Sequence, residues 1–157
     1  MRAKIAIVAV LCLLASMPAA AKSFVGARDN WSSLEASRLQ RMPSQISTAI
    51  RAAQKVCAMD TPMVRTGFLQ YFKSSNGREF VSLHFEKFRC DNSIKLCGNN
   101  GCLHQVFESK GALRAHELWR GHVQEIDITD REGRPAVKMD CGHSCNRPLP
   151  WNGRGFR

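Results

Sequence analysis

The sequence has no long hydrophobic run after its first 21 residues, and nothing later approaches the roughly 20 apolar residues of a membrane-spanning helix. It also lacks the G-x-S-x-G, H-E-x-x-H and phosphate-loop motifs, so these hydrolase and nucleotide-binding signatures are missing. Hydrophobic residues make up 44% of the chain, which excludes a disordered protein. The 157 residues support one domain rather than a large multidomain enzyme.

Acidic residues are scarce in this chain. Aspartate and glutamate total 13 against 23 lysines and arginines, which gives a formal net charge of +10. A protein of this charge is attracted to polyanions. The basic residues are spread along the sequence, with short groups such as Lys87–Arg89. Aromatic side chains that can stack on sugars or bases are also present: Tyr71, Phe88, Trp119 and Trp151.

The N-terminus is typical of a secretory signal peptide, which we assign to residues 1–21. Arg2 and Lys4 precede the apolar run Ile5–Leu14, and the small residues Ala19–Ala21 form a cleavage site. Cleavage after Ala21 leaves 136 of the 157 residues and removes two basic and no acidic residues, so the mature charge is +8. We therefore expect a periplasmic or secreted protein.

The cysteines favour a disulfide framework. Cys12 leaves with the signal peptide, and an even number of cysteines remains for an oxidising compartment. The expected disulfide-forming residues are Cys57, Cys90, Cys97, Cys102, Cys141 and Cys145. Six cysteines allow 15 complete pairings, and the sequence does not choose among them.

Two other uses of the cysteines remain open. Cys97 and Cys102 have four residues between them, and His143 lies between Cys141 and Cys145. Cysteine and histidine ligands from these two segments would form a structural zinc site. The usual two-residue gap between paired ligands is absent, however, and exported thiols meet oxidants. A catalytic thiol needs an unpaired cysteine with a lowered pKa.

The hydrophobic pattern predicts an α+β fold, with one N-terminal amphipathic helix packed on a small antiparallel sheet. The helix begins near Pro43, and its apolar face carries Ile46, Ile50 and Ala53. Residues 22–42 are expected to be a flexible lead-in, and 43–157 a single disulfide-stapled domain. Strands are predicted at the following ranges, with an Asn-Gly turn at 76–77: 64–72, 81–86, 103–107, 123–128 and 136–139.

The strand at 81–86 has the cleanest alternation in the chain. Val81, Leu83 and Phe85 point to one face, and Ser82, His84 and Glu86 to the other. The pattern predicts a half-buried strand with its polar face toward solvent.

Several elements of the sequence resemble a family of small exported, cysteine-containing proteins of alphaproteobacteria, rhizobia among them. They are the CG-x-x-GC element Cys97–Cys102 and the closing W-[DN]-G-x-x-F element Trp151–Phe156, and the likeness covers residues 43–156. Neither motif implies a reaction. Many members carry an acidic, calcium-like loop, but the matching residues 73–79 keep only Glu79 as a carboxylate, so no calcium loop is expected here.

The histidines raise the possibility of an enzyme. A small basic secreted domain with several histidines has the profile of a ribonuclease, which needs a base, an acid and a cation near the phosphate. The candidate catalytic residues are His84 and Glu86 on one strand face and His104 on a neighbouring strand, with Lys87 or Arg89 as the cation.

The preferred hypothesis is a non-enzymatic exported domain that binds an anionic envelope or extracellular component. The partners considered are anionic polysaccharide, lipopolysaccharide and phospholipid headgroups, with nucleic acid as a further polyanion. The alternative is a small secreted hydrolase of the ribonuclease type. No cofactor and no metal site is expected from the sequence.

Overall fold

The structure is a computed structural model that describes residues 30–142 and 148–157. The expected signal peptide and Cys12 lie outside the described residues, as do His143 and Cys145. Within the described ranges, no helix is both long enough and apolar enough to cross a membrane.

The described chain contains two α-helices and ten β-strands. The helices are α1 (Ala36–Gln40) and α2 (Ser44–Val56). The strands are β1 (Ser32–Ser33), β2 (Met63–Val64), β3 (Leu69–Lys73), β4 (Glu79–His84), β5 (Cys97–Gly98), β6 (Gly101–Ser109), β7 (Ala115–Val123), β8 (Glu125–Arg131), β9 (Arg134–Asp140) and β10 (Leu149–Pro150). Two short 3-10 turns cover Phe85–Lys87 and Ser93–Lys95.

The fold is mostly β, so the predicted α+β class with one helix on one small sheet is wrong. Of the residues that the structure describes, 44% are in strands and 20% are helical, and these strands form three sheets. The main reason lies at 111–119, where the local pattern fits neither a helix nor a strand. Pairing with β6 makes most of this segment the nine-residue strand β7, because a partner strand supplies the hydrogen bonds that local propensity does not predict.

All strand pairs in the described chain are antiparallel. The largest sheet has the order β3-β4-β6, with β7 on the far side of β6. The short strand β5 pairs with the start of β6, beyond the end of β4. A second sheet has the order β8-β9-β10, and β1 pairs with β2 in a third.

Apolar clusters cover both faces of the large sheet. On one face Val81, Leu83 and Phe107 join the buried side chains of α2, which are Ile46, Ile50 and Ala53. On the other face Phe80 and Val106 join residues of the second sheet, which are Ile126, Ile128 and Val137. The large sheet therefore lies between a helical layer and a second sheet.

This layering corrects the prediction of a half-buried strand at 81–86. Ser82 and His84 are 3% and 2% exposed, so the face that was expected to meet solvent is covered. The strand ends at His84, and Glu86 lies in the 3-10 turn Phe85–Lys87 rather than on the strand. The local alternation is correct, but a single strand does not reveal that a second sheet packs on its polar side.

Helix α2 and the hairpin turn confirm two other predictions. The helix follows Pro43 directly and ends at Val56, with Cys57 as its C-cap. Gly77 has a φ of 83°, which an Asn-Gly turn accommodates. The predicted strand at 64–72 is instead divided into β2 and β3 by a turn that includes Gly67, with a φ of 88°.

The described part of the segment that was expected to be a flexible lead-in packs on the domain. Ser33 pairs with Met63 in the small sheet, and Leu34 and Leu39 are buried in the core.

Two disulfides confirm part of the predicted framework. Cys57 at the end of α2 is bonded to Cys90, and Cys97 is bonded to Cys102 across the β5–β6 hairpin. Cys141 is disulfide-bonded as well. These five sulfur atoms are oxidised, so they do not form the zinc site that was considered as an alternative.

Candidate functional site

The structure brings together the three residues that were named as catalytic candidates. His84 on β4 lies directly opposite His104 on β6, and the two ring centroids are 5.1 Å apart with nearly perpendicular planes. The Glu86 carboxylate lies between the rings, with Oε1 at 3.6 Å from His84 Nδ1 and Oε2 at 3.6 Å from His104 Nε2. One possible ligand atom from each residue lies within 4.8 Å of the other two.

The turn after β4 carries Glu86 back toward the histidines. The backbone N–H of His84 donates a hydrogen bond to the Phe68 carbonyl, which fixes the end of the strand. Phe85 is buried and anchors the turn in the core, and the Lys87 carbonyl accepts a hydrogen bond from the Arg65 N–H. The site is therefore held by backbone contacts on both sides of Glu86.

The two disulfides in the described chain flank the site in sequence. Cys90 follows Glu86 by four residues and joins this segment to the end of α2. Cys102 precedes His104 by two residues and closes the β5–β6 hairpin. Both strands that contribute a histidine are thus cross-linked nearby.

The site is buried and its hydrogen bonding is incomplete. His84 and His104 are 2% and 0% exposed, while Glu86 is 25% exposed and forms the solvent side of the cluster. Glu86 Oε2 and both ring nitrogens of His104 have no hydrogen-bond partner among the described residues. A buried polar group without a partner costs about 1–3 kcal/mol, so native proteins rarely leave several together.

Ser82 is the one side chain that hydrogen-bonds a ring of this cluster within the described chain. Its hydroxyl oxygen lies 2.8 Å from His84 Nε2, on the same buried strand face. Because this contact occupies Nε2, the Nδ1 atom of His84 is the nitrogen that faces Glu86.

The environment sets the protonation states. Burial has the largest influence on the pKa of His104 and lowers it from 6.5 to about 4, although the Glu86 charge opposes this shift. Burial alone would raise the pKa of Glu86, but the side-chain contact with His84 and a backbone hydrogen bond, the larger of the opposing causes, hold the pKa below its ordinary value. At neutral pH the site therefore holds a neutral His104 imidazole and an ionised carboxylate, which are the forms that bind metal ions.

The donor set matches a divalent transition-metal ion. Two imidazoles and one carboxylate are the ligands of one class of zinc site, in which a water completes the coordination. Two donors bound to one tetrahedral zinc ion lie roughly 3.3–3.5 Å apart, as calculated from the usual bond lengths. The two nitrogen–oxygen distances are 3.6 Å, each to a different oxygen of Glu86, and the ligand atoms lie within 4.8 Å of one another, so binding one ion requires the three side chains to draw closer together. Ca²⁺ and Mg²⁺ prefer oxygen ligands and suit this set poorly.

The geometry suits acid–base catalysis on a polymer less well. A general acid or base must come within hydrogen-bond distance of the reacting group. With both histidines buried, an RNA phosphate does not reach their ring nitrogens in this conformation. Of the cations named with them, Arg89 is exposed and Lys87 is half-buried. A hydrolase function stays an untested prediction.

The remaining residues of interest do not join this cluster. The two other described histidines, His116 and His122, are exposed on β7. Phe88 is buried in the core, and Trp151 and Trp119 pack on the second apolar cluster. Among the four aromatic residues that were named as stacking candidates, only Tyr71 is largely exposed, at 73%.

A basic cavity lies on the second sheet, at a place that the sequence did not indicate. Its volume is about 620 Å³, and its charged lining consists of Arg131, Arg134, Lys138 and Glu132. Arg131 and Arg134 are register partners at the β8–β9 turn. Pro148 and Pro150 also line it. Three positive charges against one negative charge make this cavity suitable for an anion.

Comparison with known proteins does not assign the site. No family model, no curated protein and no solved structure matches this chain. The resemblance to exported alphaproteobacterial proteins therefore stays a prediction, and the functional argument depends on the side chains themselves.

The sequence named the three residues of the site but not their use as a ligand set. His84-x-Glu86 is too short a pattern to indicate a metal ion by itself. The third ligand, His104, is 20 positions from His84, and only the strand register places the two rings side by side. The polar Ser82, which alternation assigned to the solvent face, was missed as a partner of His84.

Proposed function

We propose that this protein is an exported, disulfide-bonded domain that binds a divalent transition-metal ion through His84, Glu86 and His104. Zn²⁺ is the ion that fits best. The observation that carries this proposal is the convergence of three ligand atoms within 4.8 Å, together with the missing hydrogen bonds of Glu86 Oε2 and His104 Nε2 among the described residues.

The missing hydrogen bonds favour a metal site over an ordinary buried histidine pair. A histidine that serves only the core donates from one nitrogen and accepts at the other. Neither nitrogen of His104 has hydrogen-bond geometry with any described residue, although the ring is fully buried. The backbone of Val123 lies near enough to raise the pKa of the ring, which is the contact that comes closest to a hydrogen bond. An ion bound to His104 Nε2 and to the Glu86 carboxylate gives a partner to two of the three unsatisfied atoms.

The ligand types favour zinc over other ions. Imidazole nitrogen suits zinc, copper, nickel and iron, whereas magnesium and calcium are held mainly by oxygen. Zinc accepts a tetrahedral site with three protein ligands and one water. Because Glu86 is the most exposed of the three ligands, the water position is expected on its side.

Export is part of the proposal. It is supported by the signal-like N-terminus, by the disulfides at Cys57–Cys90 and Cys97–Cys102, and by the resemblance to exported proteins. The compartment proposed is the periplasm or the extracellular medium. In that setting the five described cysteines are cross-linked and do not compete with the histidines and the carboxylate for a metal ion.

Titration of the mature, oxidised protein with Zn²⁺ tests the function. We expect one high-affinity equivalent per chain in isothermal titration calorimetry. Glu86→Gln keeps the size of the side chain and removes the charged ligand, so it should weaken binding at least tenfold. His116→Gln is the matched control, because His116 is an exposed histidine outside the site. Equal affinity of the Glu86→Gln variant and the wild type for Zn²⁺ would contradict the proposal, as would loss of Zn²⁺ binding in the control.

The basic cavity supports a second candidate function, the binding of an anionic polymer. Arg131, Arg134 and Lys138 line one depression on a protein that is strongly basic overall. A polyuronate is a suitable probe, because its regularly spaced carboxylates match a row of cations. Binding should fall steeply with added salt, and an Arg131→Gln, Arg134→Gln variant should weaken it more than a Lys87→Gln, Arg89→Gln variant, which removes the same number of charges. Equal losses in the two variants would indicate attraction by net charge alone.

A further inference from the structure

We infer that Ser82 is a positioning residue, whose hydroxyl holds His84 Nε2 so that a metal ion shared with Glu86 and His104 binds His84 through Nδ1. The inference rests on the proposed function, and it assigns His104 Nε2 as the second nitrogen ligand. It predicts the coordination mode of the site, which the set of residues alone does not fix.

The strand geometry brings the serine and the histidine together. Ser82 and His84 are two positions apart on β4, so their side chains leave the same face of the sheet. Both are almost fully buried, and Ser82 Oγ lies 2.8 Å from His84 Nε2. Inside the protein this contact is not in competition with bulk water, so it restrains the ring strongly.

The two nitrogens of His84 therefore have separate partners. Nε2 meets the Ser82 hydroxyl, and Nδ1 lies 3.6 Å from Glu86 Oε1. On the opposite strand, His104 Nε2 lies 3.6 Å from Glu86 Oε2. The space between His84 Nδ1, His104 Nε2 and the carboxylate is the only point that all three ligands face together in the described part of the chain.

A hydroxyl suits this position because it can both donate and accept. A neutral imidazole carries one ring proton. With the proton on Nδ1, Nε2 accepts a hydrogen bond from the Ser82 O–H. With a metal on Nδ1 the ring proton is on Nε2, and the Ser82 oxygen accepts it. The hydroxyl serves both arrangements by reversing its direction.

Alanine at position 82 removes this partner. The buried Nε2–H of the metal-bound ring then has no acceptor, and the ring is free to rotate away from Glu86. Loss of an outer hydrogen bond of this type typically weakens metal affinity 10–100-fold. Threonine keeps the hydroxyl and suits a β-strand, so Ser82→Thr is the matched conservative variant.

The test combines Zn²⁺ affinity with the tautomer of His84 in the mature, oxidised protein. Competition with a chromophoric chelator should give a Zn²⁺ affinity 10–100-fold lower for Ser82→Ala than for the wild type, and within about threefold for Ser82→Thr. Long-range ¹H–¹⁵N spectra of the wild type with Zn²⁺ should place the His84 proton on Nε2 and the metal on Nδ1.

The outcomes separate the two proposals. If the wild type binds Zn²⁺ at His84, Glu86 and His104 but the His84 proton is on Nδ1, the Ser82 inference is wrong and the proposed function stands. Unchanged affinity in Ser82→Ala has the same meaning. If the wild type binds no Zn²⁺ at these residues, the proposed function fails and the inference fails with it. The wild-type spectra decide the question even if Ser82→Ala does not fold.

Discussion

Gly121 on β7 lies directly opposite His104 on β6, and the indole ring of Trp119 occupies the place where a Gly121 side chain would be. A Cβ atom built on Gly121 would lie 2.6 Å from the nearest atom of that ring. The absence of a side chain at position 121 thus leaves room for the Trp119 ring. This packing belongs to the second apolar cluster, which covers the histidine face of the large sheet.

We predict that Gly121→Ala destabilises the protein by about 1–3 kcal/mol, the usual cost of forcing an extra group into a packed region. Urea denaturation of the oxidised protein measures the effect. Gly98→Ala is a suitable control, because a Cβ atom there meets nothing within 4 Å. If both variants lose the same small amount of stability, the Trp119 ring does not occupy the space beside Gly121 that the structure gives it.

We predict that the stability of the metal-free protein depends on pH, because burial lowers the pKa of His104. Its pKa is about 4 in the folded state against 6.5 as the ordinary value, so between these limits the unfolded chain binds more protons. The contribution of His104 to the free energy of unfolding should therefore be fully present above pH 6.5. It should be lost as the pH drops toward 4, which lowers the free energy of unfolding by up to about 3 kcal/mol. The lowered pKa of Glu86 acts in the same direction at lower pH.

Chemical denaturation in the presence of a chelator, at pH values from 7 to 4, measures this loss. His116→Gln should follow the wild-type curve, because His116 is exposed. His104→Gln should give a flatter curve between pH 6.5 and 4. A wild-type curve without a decline in that range would mean that His104 is as readily protonated as a histidine in water.

The two disulfides should differ in their contribution to stability. Cys57–Cys90 joins residues 33 positions apart, and Cys97–Cys102 joins residues 5 positions apart. The loop-entropy relation gives about 4 kcal/mol for the longer loop and about 2 kcal/mol for the shorter. Replacing each pair by serines and measuring urea unfolding tests this order. A larger loss for the Cys97–Cys102 pair would show that the hairpin disulfide acts on the native state rather than on chain entropy.

The elements predicted most accurately are those with strong local patterns. Helix α2 follows from Pro43 and from apolar residues at helical spacing, and the turn at Gly77 follows from its dipeptide. Segment 111–119 has no clear period, and its strand exists because β6 offers a partner. Local pattern alone does not contain that information.

The candidate site was also only partly predictable from local sequence pattern. Its three residues were recognisable as reactive types, but their convergence depends on the register between β4 and β6, which pairs His84 with His104. Their burial depends on the second sheet, which the sequence did not predict as a separate layer. A polar strand face was therefore interpreted as solvent-exposed, although Ser82 and His84 lie in the interior.

Anomalous diffraction at the zinc edge, from crystals of the mature protein grown with Zn²⁺, tests the central claim most directly. We predict an anomalous peak about 2.0–2.2 Å from His84 Nδ1, His104 Nε2 and one oxygen of Glu86. The claim is contradicted if these three residues have no peak between them while zinc is bound at exposed histidines such as His116.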